Sequence, residues 1–361
     1  GMSPCECTAD GFCRRYDRDM RGRLREVCRG INVDLGTAAA FREQWTREAG
    51  PTSRSSTSQH LLLKTDPAPG DAVAMTAAIH SLHLTFPGKY VTSVESYWPE
   101  VFMHNPGIAD NSVPGPDRTD AAEIRMHYPA IHMANVRGVH FMQGWCEFLG
   151  AALGESVPLL TNRPRLYFAD TAPATEDYWV VCSGGKMDFT NKLWGRYQEV
   201  VDRLRGRIRF VQVGGAKPPV PWSTAGQEDE HIKLEGAESM LGQTTLRQLF
   251  DLVRRARGVL CGVSLLMHVA AALEKPAIVV AGGREPVQWN AYPKQHYLHT
   301  IGQLSCCLNG GCWKSRVRPL GDSTELDASL CEKPVGSVPE CMTSISVETV
   351  VDLIERLSPR S

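Results

Sequence analysis

Short apolar runs alternate with longer amphipathic stretches along most of this chain, and glycine or proline marks most of the changeovers. Leu61, Leu62 and Leu63, followed by Lys64, read as a buried strand. Residues 65–70, with two prolines and a glycine, read as loop, and 71–79 as helix because Ala, Val, Met and Ile follow without a breaker. Strands are predicted at 90–94 and 123–127, and a helix at about 136–149. The second half alternates more clearly. It reads as strand 178–182, helix 194–204, strand 208–213 stopped by Gly214-Gly215, and a short strand candidate at 232–234. Next comes helix 244–255, whose Leu246, Leu249, Phe250 and Val253 recur on one face. Strand 259–263, helix 266–273 and strand 277–280 follow, the last ending in Gly282-Gly283, and 347–357 reads as a closing helix.

Repeated strand-then-helix units imply parallel strands joined by right-handed crossovers, hence an α/β protein with doubly wound sheets. Ligands in such sheets sit beyond the carboxyl ends of the strands. The pattern divides the chain into an extension over 1–58, domains over 59–165 and 166–301, an irregular segment over 302–344 and a helix within 345–361. A long irregular passage needs another source of order, which bound metal supplies.

Composition narrows this picture. An apolar fraction of 42% and a charged fraction of 22% belong to a globular chain. No run approaches the roughly 20 apolar residues of a membrane span, and the start is rich in Cys, Asp and Arg, so a cytoplasmic protein is expected. The net charge of -1 gives no general attraction for nucleic acid. The arginines from Arg14 to Arg29, interrupted by Asp17, Asp19 and Glu26, read as a solvated helix face. Nine of the twelve cysteines are gathered near the two ends, and in a reducing compartment clustered thiols favour metal ligation over disulfides. Cys146, Cys182 and Cys261 stand apart in apolar surroundings and read as buried small hydrophobes.

Four places carry chemistry. Around Ser264, between a strand and a helix, unpaired amides suit an anion such as a diphosphate, with the Ser264 hydroxyl and His268 as further donors. The competing reading makes Ser264 a helix cap and His268 a core residue. After the next strand, Gly283 permits close backbone approach, Arg284 neutralises phosphate and Glu285 accepts hydrogen bonds from ribose hydroxyls. Lys186 and Lys192, after the first strand of the second domain, offer positive charge to a departing nucleoside diphosphate. Asp71, at a loop-to-helix junction, is the candidate base for an acceptor hydroxyl; its alternative role is an N-cap for its own helix.

Lys64 with Gly70-Asp71, the segment from Gly184 to Trp194, Gly242-Gln-Thr244-Thr-Leu246 and the run from Ser264 to Ala272 together resemble the bacterial heptosyltransferases that use ADP-heptose. That resemblance implies a GT-B fold, two Rossmann-like domains facing a central cleft, with the acceptor domain first and the nucleotide-sugar domain second. It implies that Asp71 is the catalytic base and that Thr244, Ser264 and His268 belong to the donor site. The implied reaction moves a sugar from a nucleotide-diphosphate donor to a hydroxyl of a small molecule, saccharide or protein, with no catalytic metal. Val263-Ser264-Leu265 departs from the family's Asp-Ser/Thr-Gly, which leaves the identity of the sugar open. The late cysteines resemble the iron element of heptosyltransferases that modify autotransporter proteins. By that parallel Cys307, Cys312, Cys331 and Cys341, with Cys306 as alternative to its neighbour, form a structural zinc or iron site. Cys5, Cys7, Cys13 and Cys28 form a second four-cysteine candidate. The competing functions are a nucleotide-sugar epimerase and a cysteine-stabilised module for nucleic acid or protein.

Overall fold

The computed structural model describes residues 58–65, 68–109, 121–126, 139–171, 173–215, 229–230, 233–319 and 330–358. The early candidate site of Cys5, Cys7, Cys13 and Cys28, and the arginine cluster, lie outside the described residues. The chain divides after Thr171 into two compact units. Among the described residues no helix is long and apolar enough to cross a membrane.

In the first unit β1 (Gln59–Thr65) lies between β2 (Tyr90–Ser96) and β3 (Ala122–Met126), all parallel. Alternation along β1 turns Leu61, Leu63 and Thr65 inward and leaves Lys64 among Glu123, at 2.8 Å, and Glu95, at 3.9 Å, on the other face. Helix α1 (Pro69–Thr85) starts two residues before the predicted position, because Pro69 suits a first turn: its fixed φ is helical and its missing N–H would have had no partner. The helix is buried along most of its length from Gly70 to Leu82. Its two inward hydroxyls do double duty. Thr76 donates to the Val73 carbonyl and accepts the Arg165 N–H; Ser81 donates to Ala77 and accepts from Leu160. Those bonds lay the chain after helix α2 (Phe141–Leu153) along α1. His140 caps α2 by accepting the Met142 N–H at 3.1 Å, and Gly154, at φ 66°, ends it.

The second unit is built on a six-stranded parallel sheet. Its strands are β4 (Trp179–Cys182), β6 (Phe210–Gln212), β8 (Glu238–Ser239), β9 (Gly258–Gly262), β10 (Ala277–Gly282) and β11 (Gln295–His299). They lie in the order β11-β10-β9-β4-β6-β8. Counted within this sheet the order is 3-2-1-4-5-6, that of a dinucleotide-binding sheet, and it reverses between β4 and β9. Helices α3 (Tyr197–Leu204), α4 (Leu246–Arg255) and α5 (Leu265–Ala272) connect strands. Thr245 and Gln248 form a reciprocal capping box on α4. Trp179, Trp194, Tyr197, Phe210 and Ile354 lie within one buried cluster, and the Trp194 indole donates to the Ile345 carbonyl.

Several boundaries differ from the sequence expectation. Helix α3 starts at Tyr197 because Trp194 turns into the core and Gly195-Arg196 form a turn. Residues 233 and 234 of the strand candidate at 232–234 are irregular, its first residue lies outside the described residues, and the two-residue β8 pairs with β6. Strand β11 went unpredicted. The segment 302–344 holds a 3₁₀ turn (Ser305–Cys307), an antiparallel hairpin of β12 (Pro334–Val335) and β13 (Val338–Pro339), and α7 (Glu340–Thr343). The short α6 (Val287–Asn290) follows β10, and α8 (Val347–Leu357) closes the chain. The short antiparallel pair β5 (Gly185–Lys186) and β7 (Asp229–Glu230) completes the set.

Candidate functional site

The loops after β4, β9 and β10 leave the same end of the second unit's sheet, and the first two flank the point where strand order reverses. Ser264 occupies the N-cap position of α5, yet its side chain makes no cap hydrogen bond. The Met267 N–H donates to the Ser264 carbonyl at 3.2 Å, and the other first-turn amides of α5 have no acceptor in the Ser264 side chain, as an anion site at a helix start requires. His268, one turn on, is buried, and its Nδ1 meets the Tyr292 hydroxyl at 2.7 Å with the rings edge to face. It is thus a core residue held in one orientation.

Glu285 is the centre of a buried charge cluster. The Lys192 Nζ sits 2.8 Å from one of its oxygens, Arg284 donates to the same oxygen and Asn290 donates to the other. Burial by itself would raise the pKa of this carboxyl, but the Lys192 and Arg284 charges more than offset it and hold the group below its ordinary value. Two cations against one anion leave a surplus positive charge. Lys192 is the exposed end of the cluster, its side chain 26% accessible, whereas Arg284 is 7% exposed. The Arg284 guanidinium lies between the rings of Phe189 and Trp313 at 5.2 and 5.3 Å, and its Nε donates to the Lys314 carbonyl at 2.9 Å. Arg284 is therefore committed to protein groups on several sides.

Gly283 is buried against the late cysteines: a Cβ there would lie 3.3 Å from the Cys307 sulfur and 3.4 Å from the Cys341 Cβ. Its carbonyl accepts the Cys312 N–H at 3.1 Å. Cys306, Cys307, Cys312, Cys331 and Cys341 line one cavity of about 360 Å³, counting its solvent-open part, together with Asn191, Lys314 and Glu332. Asn191 is buried, and its Oδ1 has no hydrogen-bond partner. Among the described residues no three His, Cys, Asp or Glu side chains stand at metal-holding distance.

The other candidates belong to other elements. Lys186 sits on β5 in register with Asp229. Thr244 precedes the cap of α4, beyond the outer strand β8. Asp71 belongs to the first unit, where it is the third residue of α1, with Ala68 in the cap position, so it is not the N-cap. Its position one turn into a helix whose dipole favours an anion follows β1, the central strand of that sheet. Phe189, Tyr292 and Trp313 carry no sequence signal as site residues, because each acts through a partner distant in the chain; Asn290 meets Glu285 only because the short turn after Glu285 folds back. Cys146, Cys182 and Cys261 are buried as expected.

Residues 145–309 match the family profile described as glycosyltransferase family 9 (heptosyltransferase), a span that holds all of the second-unit donor candidates but not Asp71. A search of curated proteins finds no match. Among solved structures, the dodecameric iron-containing heptosyltransferase TibC of enterotoxigenic Escherichia coli, in complex with ADP-D-β-D-heptose, superimposes with a TM-score of 0.56. It is 16% identical over 85% of this chain and 77% of its own. A glycosyltransferase family 9 protein of Veillonella parvula gives 0.55 at 14% identity, covering 85% and 99% of the two chains. The E. coli ADP-heptose lipopolysaccharide heptosyltransferase II gives 0.50 at 14% identity, covering 82% and 98%. At these identities the likeness establishes a shared fold.

Proposed function

We propose that the chain is a glycosyltransferase that moves a sugar from a nucleotide-diphosphate donor to a hydroxyl acceptor, with ADP-heptose the first donor to test. The observation that carries this reading is the uncapped start of α5 beside the β4–β9 reversal, with the surplus charge of Lys192 on the neighbouring loops, all inside the span that matches the family profile. The amides of α5 and the Lys192 ammonium take up the charge that develops on the departing diphosphate. Direct attack of the acceptor oxygen breaks the bond between the anomeric carbon and the phosphate oxygen, and Asp71 takes the proton that the acceptor loses. Lys186 and Thr244 supply secondary donor contacts. TibC, in complex with ADP-D-β-D-heptose, is the precedent for the donor. The test is thermal stabilisation of the purified chain by a panel of nucleotide sugars, followed by transfer from whichever donor binds. No stabilisation by any nucleotide sugar removes the proposal.

The late cysteines hold a structural metal, zinc or iron, in the same reading. Cys307, Cys312, Cys331 and Cys341 line one cavity, where burial raises the thiols of Cys312, Cys331 and Cys341. Four thiolates suit a closed tetrahedral site, and the described side chains would have to draw together to form it. Burial pushes the Cys341 thiol up to about 11, so a bound cation is what would ionise it. The iron of TibC is the precedent for the metal. Metal analysis after anaerobic purification, with melting before and after chelation, checks it; absence of metal and an unchanged melting temperature together reject it.

A further inference from the structure

The stretch 311–317 runs between the two loops that carry the charge cluster and is bonded to both. On one side the Cys312 N–H donates to the Gly283 carbonyl at 3.1 Å, the Trp313 N–H to the Arg284 carbonyl at 3.4 Å, and Arg284 Nε to the Lys314 carbonyl at 2.9 Å. On the other the Asn191 N–H donates to the Ser315 carbonyl at 3.1 Å and the Val317 N–H to the Thr190 hydroxyl at 3.0 Å. The strap is held under backbone strain. Trp313 adopts φ 55°, a left-handed conformation that a bulky side chain rarely takes, and packs its ring on Trp289 at 4.7 Å. Gly311, at φ 137°, passes so close that a Cβ would lie 2.3 Å from the Arg284 carbonyl oxygen.

We propose that this strap assembles the donor site and that Arg284 is a positioning residue in it, holding Glu285, and through Glu285 the Lys192 ammonium, in the place where a diphosphate is met. The inference rests on the nucleotide-site reading above. It assigns Arg284 a different part from direct phosphate binding. With its guanidinium buried between Phe189 and Trp313 and bonded to Glu285 and Lys314, Arg284 neutralises the carboxylate, and the exposed Lys192 presents the surplus charge.

Calorimetric titration with ADP, UDP and GDP separates the possibilities. The full chain is compared with Lys192→Met, Arg284→Met, the double variant and Gly311→Ala, and far-ultraviolet circular dichroism checks folding. Lys192→Met should weaken binding of the preferred nucleotide about tenfold or more, the loss of one charge-assisted contact. Arg284→Met should weaken it similarly, while the double variant should bind no more weakly than Lys192→Met alone. Gly311→Ala, which adds no group near a nucleotide and removes none, should also weaken binding. Additive losses in the double variant, near a hundredfold, overturn the proposal in favour of direct contact by Arg284. Wild-type affinity in a folded Gly311→Ala protein also overturns it. Should Arg284→Met not fold, Arg284→Lys serves in its place: retention of charge without the planar fork should still cost affinity, and full wild-type affinity overturns the assignment. Failure of the wild-type chain to bind any of the three nucleotides overturns the nucleotide-site reading and this inference together.

Discussion

The two units handle polar groups in opposite ways. In the first, the described buried polar residues are Thr65, Thr76, Ser81, Thr92, Asn105, His140 and Thr161, and none of its described Asp, Glu, Lys or Arg side chains is buried. In the second, Arg254, His268, Arg284, Glu285, His299 and Arg316 are buried. Neutral hydroxyls in α1 need only a carbonyl one turn back, so they cost little and pin the neighbouring chain. Buried charge costs several kcal/mol per ion unless it is paired, so it persists where loops have to be held in one arrangement. The contrast assigns rigidity of the site to the second unit and leaves Asp71, in the first, on a helix start set by packing.

If that contrast is right, the largest single effect belongs to Asp71. Asp71→Asn should lower transfer by roughly 10²- to 10⁴-fold, the usual contribution of a general base, and leave nucleotide binding unchanged, with a stability loss of no more than about 1 kcal/mol from the helix dipole. Full activity with a verified acceptor would end its candidacy.

Acid should distinguish the units next. His299, at the end of β11, is buried, its Nδ1 has no hydrogen-bond partner, and burial pushes its pKa down to about 4. The unfolded chain takes up this proton near the ordinary value of about 6.5 and the folded chain does not, so stability is lost as pH falls from about 6.5 towards 4. The loss should reach about 3 kcal/mol. Hydrogen exchange of β10 and β11 amides should accelerate over that range, and His299→Gln should flatten the dependence. In the first unit His83 is also lowered by burial, against a hydrogen bond with Gly107 that raises it, so α1 amides should respond over the same direction of pH but less steeply.

Two glycines provide the smallest and most local comparison. Gly258 in the second unit faces the Trp179 ring, whose atoms would lie 2.7 Å from an added Cβ, so Gly258→Ala should cost about 1–3 kcal/mol of overpacking. Gly154 in the first unit has open space around it but φ 66°, so Gly154→Ala should cost only about 1 kcal/mol, the strain of the left-handed backbone. Equal losses in urea unfolding would contradict the difference drawn between the two units.

The central strands were legible because parallel strands covered on both faces read as unbroken apolar runs, as in Trp179–Cys182 and Ala277–Gly282. Strand β11 escaped because Gln295, His296 and His299 give it a polar look at the edge of the sheet. Strand β8 has two residues, too few for any periodicity. In the site, Ser264 and Gly283 could be singled out because each opens a helix or directly follows a strand, and Lys192 because it lies in the connection after β4; sequence order alone fixes which end of the sheet such loops occupy.

The sequence by itself thus determined the α/β alternation, the doubly wound second sheet and the loops on which its chemistry would lie, since these depend on local pattern and on the handedness of crossovers. Only the tertiary structure decided how the charges are shared. Whether Arg284 faces a ligand or a buried carboxylate depends on Phe189 and the strap at 311–317, which approach it from distant parts of the chain. Pairing energies of that kind are set by distance and desolvation in the folded core, and no local pattern encodes them.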